Sequence, residues 1–159
     1  MRKILLIIFI LLLTSCVTIP KNQHARRDAI ISFFDKNNID VTFCNMEWGG
    51  LAYFTSGRVE LSLRTLSLPK NVMWSVVIHE ASHIILYREG KQEAYIDTYK
   101  EFVDREKQTD LYAKNMMSQL FPNLKYWGYY ITANDGQLCE TYLRWADISE
   151  EEGRKECRD

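Results

Sequence analysis

The feature that most constrains this fold is a largely apolar run over residues 72–86. Its hydrophobic positions are too many for the single stripe of a surface helix, so the run predicts a helix that is buried on nearly all sides. Two histidines and a glutamate interrupt it as His79, Glu80 and His83. The sequence therefore predicts that both histidines lie on a helix of the core.

The spacing of the two histidines indicates a metal site. Residues four apart on a helix project from one face about one turn from each other, so His79 and His83 can both reach one tetrahedral Zn²⁺ ion. Glu80 then lies beside the open position of the metal, where it can act as the catalytic general base on bound water. The alternative is a buried helix whose histidines bond to backbone carbonyls.

A third ligand is needed, because a catalytic zinc usually takes three protein ligands. We expect it on the next helix, which is predicted to start near Lys91 and carries four acidic residues on one face. If the two helices form an antiparallel hairpin, Asp97 lies closer to the histidines along the helix axis, whereas Glu93 has the longer side chain. Glu93 is the preferred ligand, and Asp97 is the alternative. The four acids are Glu93, Asp97, Glu101 and Asp104.

Together, these segments resemble the gluzincin group of the zincin metallopeptidases. The stretch Glu93-Ala94-Tyr95-Ile96-Asp97 is similar to their glutamate helix. This resemblance implies that Glu93 binds zinc and that Asp97 holds the ring N–H of a metal-binding histidine. A competing alignment gives the ligand position to Asp97, because Asp97-Thr98-Tyr99 is similar to the ligand segment of alanyl-aminopeptidase-like gluzincins. The resemblance covers about residues 59–104.

The resemblance also implies a substrate-binding strand. In zincins the strand before the metal-binding helix commonly forms the edge of the sheet, and residues 59–63 occupy that place. A peptide would pair with this edge through backbone hydrogen bonds, and alternate side chains would give specificity. The expected edge residues are Val59, Leu61 and Leu63, and the alternative is a plain core strand.

The first sixteen residues have the features of a bacterial lipoprotein signal. Arg2 and Lys3 precede an apolar run that is too short to span a bilayer. The tetrapeptide Leu13-Thr14-Ser15-Cys16 resembles a lipobox, which implies cleavage before Cys16 and lipidation of its sulfur. We expect a chain anchored to the cell envelope through this lipid, on the periplasmic side of the outer membrane in a Gram-negative cell. An ordinary signal peptide is the alternative.

The rest of the chain is long enough for one domain. We expect a signal peptide at 1–15, a lipidated cysteine and tether at 16–23, a zincin-like domain at 24–147 and a charged tail at 148–159. A formal net charge of −1 argues against nucleic acid as a partner. One disulfide is expected, and two pairings are possible for it: Cys139 with Cys157, or Cys44 with Cys139.

The pattern of elements predicts an α+β fold. Strands are expected at 39–43, 51–54 and 59–63, and they would form a small antiparallel sheet packed on the helical core. Beside the buried helix and the one that starts near Lys91, helices are expected at 24–37, 110–120 and 137–146.

The expected function is that of a membrane-anchored, zinc-dependent peptidase acting on peptides or proteins. An oxyanion donor is also needed, and the candidates are Tyr87, Tyr95, Tyr99 and Tyr112. The alternative is a non-catalytic lipoprotein that uses the zincin scaffold for binding or envelope assembly. In either case a protein partner could complete the cleft, because the chain lacks the large second domain of bigger gluzincins.

Overall fold

The computed structural model of the protein describes residues 19–146 and Cys157. The predicted signal peptide at 1–15, the lipidated Cys16 and all of the tail at 148–159 except Cys157 lie outside the described residues. Four α-helices and a three-stranded sheet form the described part, which confirms the α+β class. None of the helices in this part is both long and apolar enough to cross a membrane.

One helix precedes the three strands of the sheet, and three helices follow them. Short 3₁₀ turns at Lys21–Gln23 and Leu63–Ser67 precede α1 and α2. In chain order the elements are α1 His24–Lys36, β1 Asp40–Cys44, β2 Gly50–Tyr53, β3 Arg58–Ser62, α2 Lys70–Arg88, α3 Tyr99–Leu120 and α4 Asp135–Ala146.

The sheet is mixed, so the prediction of an antiparallel sheet is wrong. Its strand order is β1-β3-β2, with β3 parallel to β1 and antiparallel to β2. The predicted edge strand is therefore the central one, and Val59 and Leu61 are fully buried in the core. Leu63 lies in the 3₁₀ turn beyond the strand. The central strand β3 is the most buried of the three, and β2 is left as an edge.

Helix α2 is the centre of the fold, as predicted. Its buried side chains, among them Val77, Ile78 and Ile84, form one core with α1 and the sheet. Gly90 follows the helix with φ +68°, the left-handed conformation that ends many helices. The two histidines of the motif therefore lie on a buried helix.

Helix α3 differs from the prediction. The two helices expected from Lys91 onwards are one continuous helix, Tyr99–Leu120. Its start is fixed by a capping box, in which the Thr98 hydroxyl accepts from the backbone N–H of Glu101 and the Glu101 carboxylate accepts from that of Thr98. Residues 91–98 consequently form a connection without helix, which moves Glu93 and Asp97 off α3.

Helix α4 packs on the N-terminal half of α3. Phe102 of α3 and Tyr142 and Leu143 of α4 form a second, smaller apolar cluster. A disulfide joins Cys139 to Cys157, so the first of the two open pairings is the one found, and Cys44 is a free cysteine. This helix forms a wall beside the two histidines.

Candidate metal centre

Helices α2 and α3 bring three potential metal ligands together. The Nε2 atoms of His79 and His83 lie 3.1 Å and 3.3 Å from the same carboxylate oxygen, Oε2 of Glu106 on α3. The side chains of His79, His83 and Glu106 are 12%, 6% and 5% exposed. The three side chains are therefore largely shielded from solvent.

The arrangement fits a tetrahedral zinc ion. With bonds of 2.0–2.2 Å, two ligand atoms of such an ion lie roughly 3.4 Å apart. The distances from Glu106 to the two imidazoles are close to this value, and potential ligand atoms of all three residues lie within 4.8 Å of one another. Two imidazoles and a carboxylate are also a donor set that catalytic zinc prefers.

The far nitrogen of His79 is held by a carboxylate. Its Nδ1 lies 2.9 Å from Oδ1 of Asp110, which also accepts from the Tyr126 hydroxyl at 2.6 Å. The other oxygen of Asp110 accepts from the backbone N–H of Ile131 at 3.2 Å. An ionised carboxylate only accepts, so Nδ1 of His79 carries a proton. Nε2 is then directed towards Glu106, the arrangement found in carboxylate–histidine–metal sites.

His83 is held by a different network. Its Nδ1 lies 3.1 Å from the Thr109 hydroxyl, and that hydroxyl donates to the backbone carbonyl of Arg105 at 2.9 Å. Because a hydroxyl has one proton, the Thr109 oxygen accepts from Nδ1–H of His83. Gln92 supports the pair by donating to the same oxygen at 2.8 Å. The Nε2 lone pair of His83 is again left for a metal.

Burial and mutual contact shift the pKa values of this group. Burial lowers the pKa of His79, but hydrogen bonds to Asp110 and Glu106 outweigh it and raise the value to about 10. Burial raises the pKa of Glu106, yet the neighbouring His83 and His79 hold it well below its usual range. These shifts are those expected of a buried ion pair between His79 and Glu106.

Glu80 follows His79 on α2 and faces an open cleft. Burial raises the pKa of its carboxyl, and the nearby His79 and His83 oppose that shift. The side chain lies against Gly50 of β2, where an added Cβ would come within 2.5 Å of Cγ of Glu80. The absence of a side chain at Gly50 therefore makes room for this carboxylate.

The cleft runs between strand β2 and helix α4 and has a volume of about 590 Å³. The floor of the cleft is formed by Glu80 and by the candidate metal-ligand group, which consists of His79, His83 and Glu106. Residues of β2 form one wall. A second pocket of about 340 Å³ continues past Glu80 and is lined by exposed aromatic residues that include Trp48 and Trp127. The site is therefore open to an extended ligand on both sides of Glu80.

The structure separates the predicted site residues into two sets. His79, Glu80 and His83 lie together, whereas Glu93 and Asp97 are exposed in the connection before α3. Within the described residues, the group that could hold a metal contains Glu106 and neither Glu93 nor Asp97. This difference from the predicted ligand follows from the later start of α3.

Sequence reasoning missed the residues that complete the site. Glu106 and Asp110 have the same four-residue spacing as Glu93 and Asp97, and Asp110 holds a histidine as the resemblance implied for Asp97. The capping signal Thr98-x-x-Glu101 could have placed the helix correctly. The other missed residues are Gln92, Thr109, Tyr126 and Tyr130.

Comparisons with known proteins do not assign the chain to a family. No protein-family model, no curated protein sequence and no solved structure matches the chain.

Proposed function

We propose that this protein is a zinc-dependent peptidase of the gluzincin kind, attached to the cell envelope through lipid at Cys16. One observation carries the proposal: two imidazole Nε2 atoms meet one buried carboxylate oxygen, while both Nδ1 atoms are held by other partners. Histidines with only a structural role need no such convergence of their remaining nitrogens.

His79, His83 and Glu106 would hold the ion. Bound zinc supplies Lewis acidity, which polarises a scissile carbonyl and lowers the pKa of a water molecule towards neutrality. Asp110 and Thr109 fix the two imidazole rings in the orientation that binding needs.

Glu80 is the proposed general base. It adjoins the ligand histidine His79 in sequence and faces the cleft, so it can take a proton from water and deliver it to the leaving amine. Its pKa, raised by burial, suits a carboxylate that gains and then loses a proton during turnover.

Tyr130 is the proposed donor to the developing oxyanion. Its ring stacks on that of His79 with centroids 5.5 Å apart, and the residue lines both pockets beside Glu80. Burial raises the pKa of the phenol well above its usual range, so the hydroxyl stays protonated and can donate. The earlier candidates fit less well: Tyr95 is 82% exposed, and Tyr99 donates to the backbone of Asp135.

Strand β2 is the proposed platform for the substrate. It is an edge strand, and all four of its residues, Gly50–Tyr53, line the cleft beside Glu80. A peptide that pairs with this edge would lie across the metal-ligand group. The proposal thus gives β2 the substrate-binding role that the sequence predicted for Val59, Leu61 and Leu63.

The decisive variant is Glu80→Gln in the full chain, purified in detergent. It should bind one zinc per chain, as the parent does, and should no longer cleave a library of unstructured peptides analysed by mass spectrometry. Glu93→Gln is the matched control, because this exposed acid lies away from the group and should leave both properties unchanged.

Each outcome separates the alternatives. Parent-like cleavage by Glu80→Gln would contradict the role of Glu80. A parent protein that holds stoichiometric zinc but cleaves no peptide would favour the non-catalytic binding module instead.

A further inference from the structure

The charged residues of the cleft are distributed unevenly. Apart from the metal-ligand group and Glu80, only two residues that line the larger pocket carry a charge, and both are arginines. Arg105 comes from α3 and Arg144 from α4. No acidic residue of the described chain lines this pocket outside Glu80 and Glu106, so the wall facing β2 is cationic.

Arg105 is a nearly buried arginine with free hydrogen-bonding capacity. The residue is 9% exposed, and its guanidinium carbon lies 5.1 Å from the ring centroid of Phe54 and 5.6 Å from that of Trp145. Stacking of this kind uses the face of the guanidinium and leaves its in-plane N–H groups for other partners.

The protein satisfies these in-plane groups only in part. One Nη2 contact joins Arg105 to Oε1 of Glu106 at 3.3 Å, while Oε2 of that carboxylate faces the two histidines. The Nε atom of Arg105 is buried and has no hydrogen-bond partner within the described residues. A buried N–H without a partner is costly, so a ligand that accepts from it would be stabilised.

Arg144 extends the cationic wall. It is exposed, lines both pockets and has no hydrogen bond or ion pair within residues 19–146 and Cys157. Its position next to Trp145 places it on the same wall as Arg105, nearer to the solvent.

We propose that Arg105 and Arg144 form a subsite for a carboxylate of the substrate, with Arg105 as the buried anchor. The proposal deepens the peptidase function and rests on it for the identity of the ligand as a peptide. The carboxylate comes either from a free C-terminus or from an acidic side chain, and both have the planar shape that arginine binds through two parallel hydrogen bonds.

The competing explanation is that Arg105 acts only through Glu106. In that case Arg105→Gln would weaken zinc binding and would affect charged and neutral peptides alike. The ratio of affinities for matched acidic and neutral peptides therefore distinguishes the two explanations. It changes if Arg105 binds the substrate carboxylate, and it stays the same if Arg105 acts only through Glu106.

The test uses the full chain with Glu80→Gln, as purified and with its metal content measured, so that peptides bind without being cut. The probes are acetylated pentaalanine as free acid and as amide, and the amide with either glutamate or glutamine at its third position. Binding is followed by quenching of protein tryptophan fluorescence, since Trp145 contacts Arg105.

We expect at least one carboxylate probe to bind about ten- to a hundredfold more tightly than its neutral partner. The free-acid and glutamate arms identify which source of carboxylate is used. Adding Arg105→Gln should abolish the preference, Arg144→Gln should reduce it, and the surface control Arg27→Gln should keep it.

Equal binding of acidic and neutral probes, or no binding of any probe, would overturn the proposal. So would an Arg105→Gln variant that keeps the preference or loses affinity for both forms equally. These results are independent of hydrolysis: a parent protein that cleaves peptides without regard to charge would retain the peptidase function and lose the subsite.

Discussion

The floor of the cleft and its α4 wall are built in different ways. In the floor, directional hydrogen bonds orient His79 and His83, the two candidate ligand histidines. Asp110 holds one ring, and Thr109 with Gln92 holds the other. The wall is held mainly by stacked rings and a disulfide, with few hydrogen bonds, such as that between the hydroxyls of Tyr129 and Thr141.

This difference fits the roles that we propose for the two regions. Metal ligands must be fixed to within fractions of an ångström, which only directional bonds from several partners achieve. A recognition wall needs shape and charge, and apolar packing provides a surface on which cationic groups can stay unpaired. We therefore expect changes in the floor to affect zinc and changes in the walls to affect turnover or specificity.

The largest effect should come from Glu106→Gln in the floor. An amide is a poor zinc ligand, so we expect zinc affinity to fall by more than about a hundredfold, beyond the loss typical of changes next to a ligand. Competition with a chelator measures the affinity, and Asp97→Asn is the control that should leave it unchanged. Retention of parent affinity by Glu106→Gln would remove this residue from the ligand set.

Asp110→Asn should have the next largest effect. The amide no longer orients His79 as a carboxylate does, so we expect about a ten- to hundredfold loss of zinc affinity by the same titration. Tyr126→Phe removes only one of the hydrogen bonds to Asp110 and should cost less. If both variants bound zinc like the parent, the floor would not be the rigid region that we describe.

The pH dependence of zinc binding should be of similar size over two pH units. The pKa of His79 is about 10 in the metal-free protein, so this imidazole is protonated at neutral pH and zinc must displace the proton. Because the pKa of His79 is raised, protons compete with zinc for this imidazole. From His79 alone, the apparent zinc affinity should rise about tenfold per pH unit between pH 6 and pH 8. Calorimetry in buffers of different ionisation enthalpy detects the released proton, and its absence would contradict the protonated state.

A change in the β2 wall should leave zinc untouched. Gly50→Ala places a Cβ against Glu80 and must displace its carboxylate, so we expect kcat to fall about tenfold at unchanged zinc affinity. Gly136→Ala is the matched control, because its Cβ would meet only Asn134 at an ordinary 3.4 Å. Loss of zinc in Gly50→Ala would show that floor and wall are coupled.

The same contrast explains which features the sequence could predict. The buried helix and the pairing of His79 with His83 depend on spacing within one element, and this local information was sufficient. The third ligand depends first on where α3 begins, for which Thr98 and Glu101 carry a local capping signal. It depends also on which acid of α3 faces the histidines, and that is a tertiary property. The strand at 59–63 was placed correctly to within one residue, but its central position depends on pairing with β1, for which the chain carries no local signal.

Strand β2 has one further consequence, which concerns the conformation of the target. Its free edge is only Gly50–Tyr53, and backbone pairing along it requires the partner to be extended over a similar length. Helices and closed sheets do not offer such a stretch. The folding state of a target, and not its sequence alone, would then decide whether it is cut: native domains would resist except at loops and ends, while unfolded chains would be accepted.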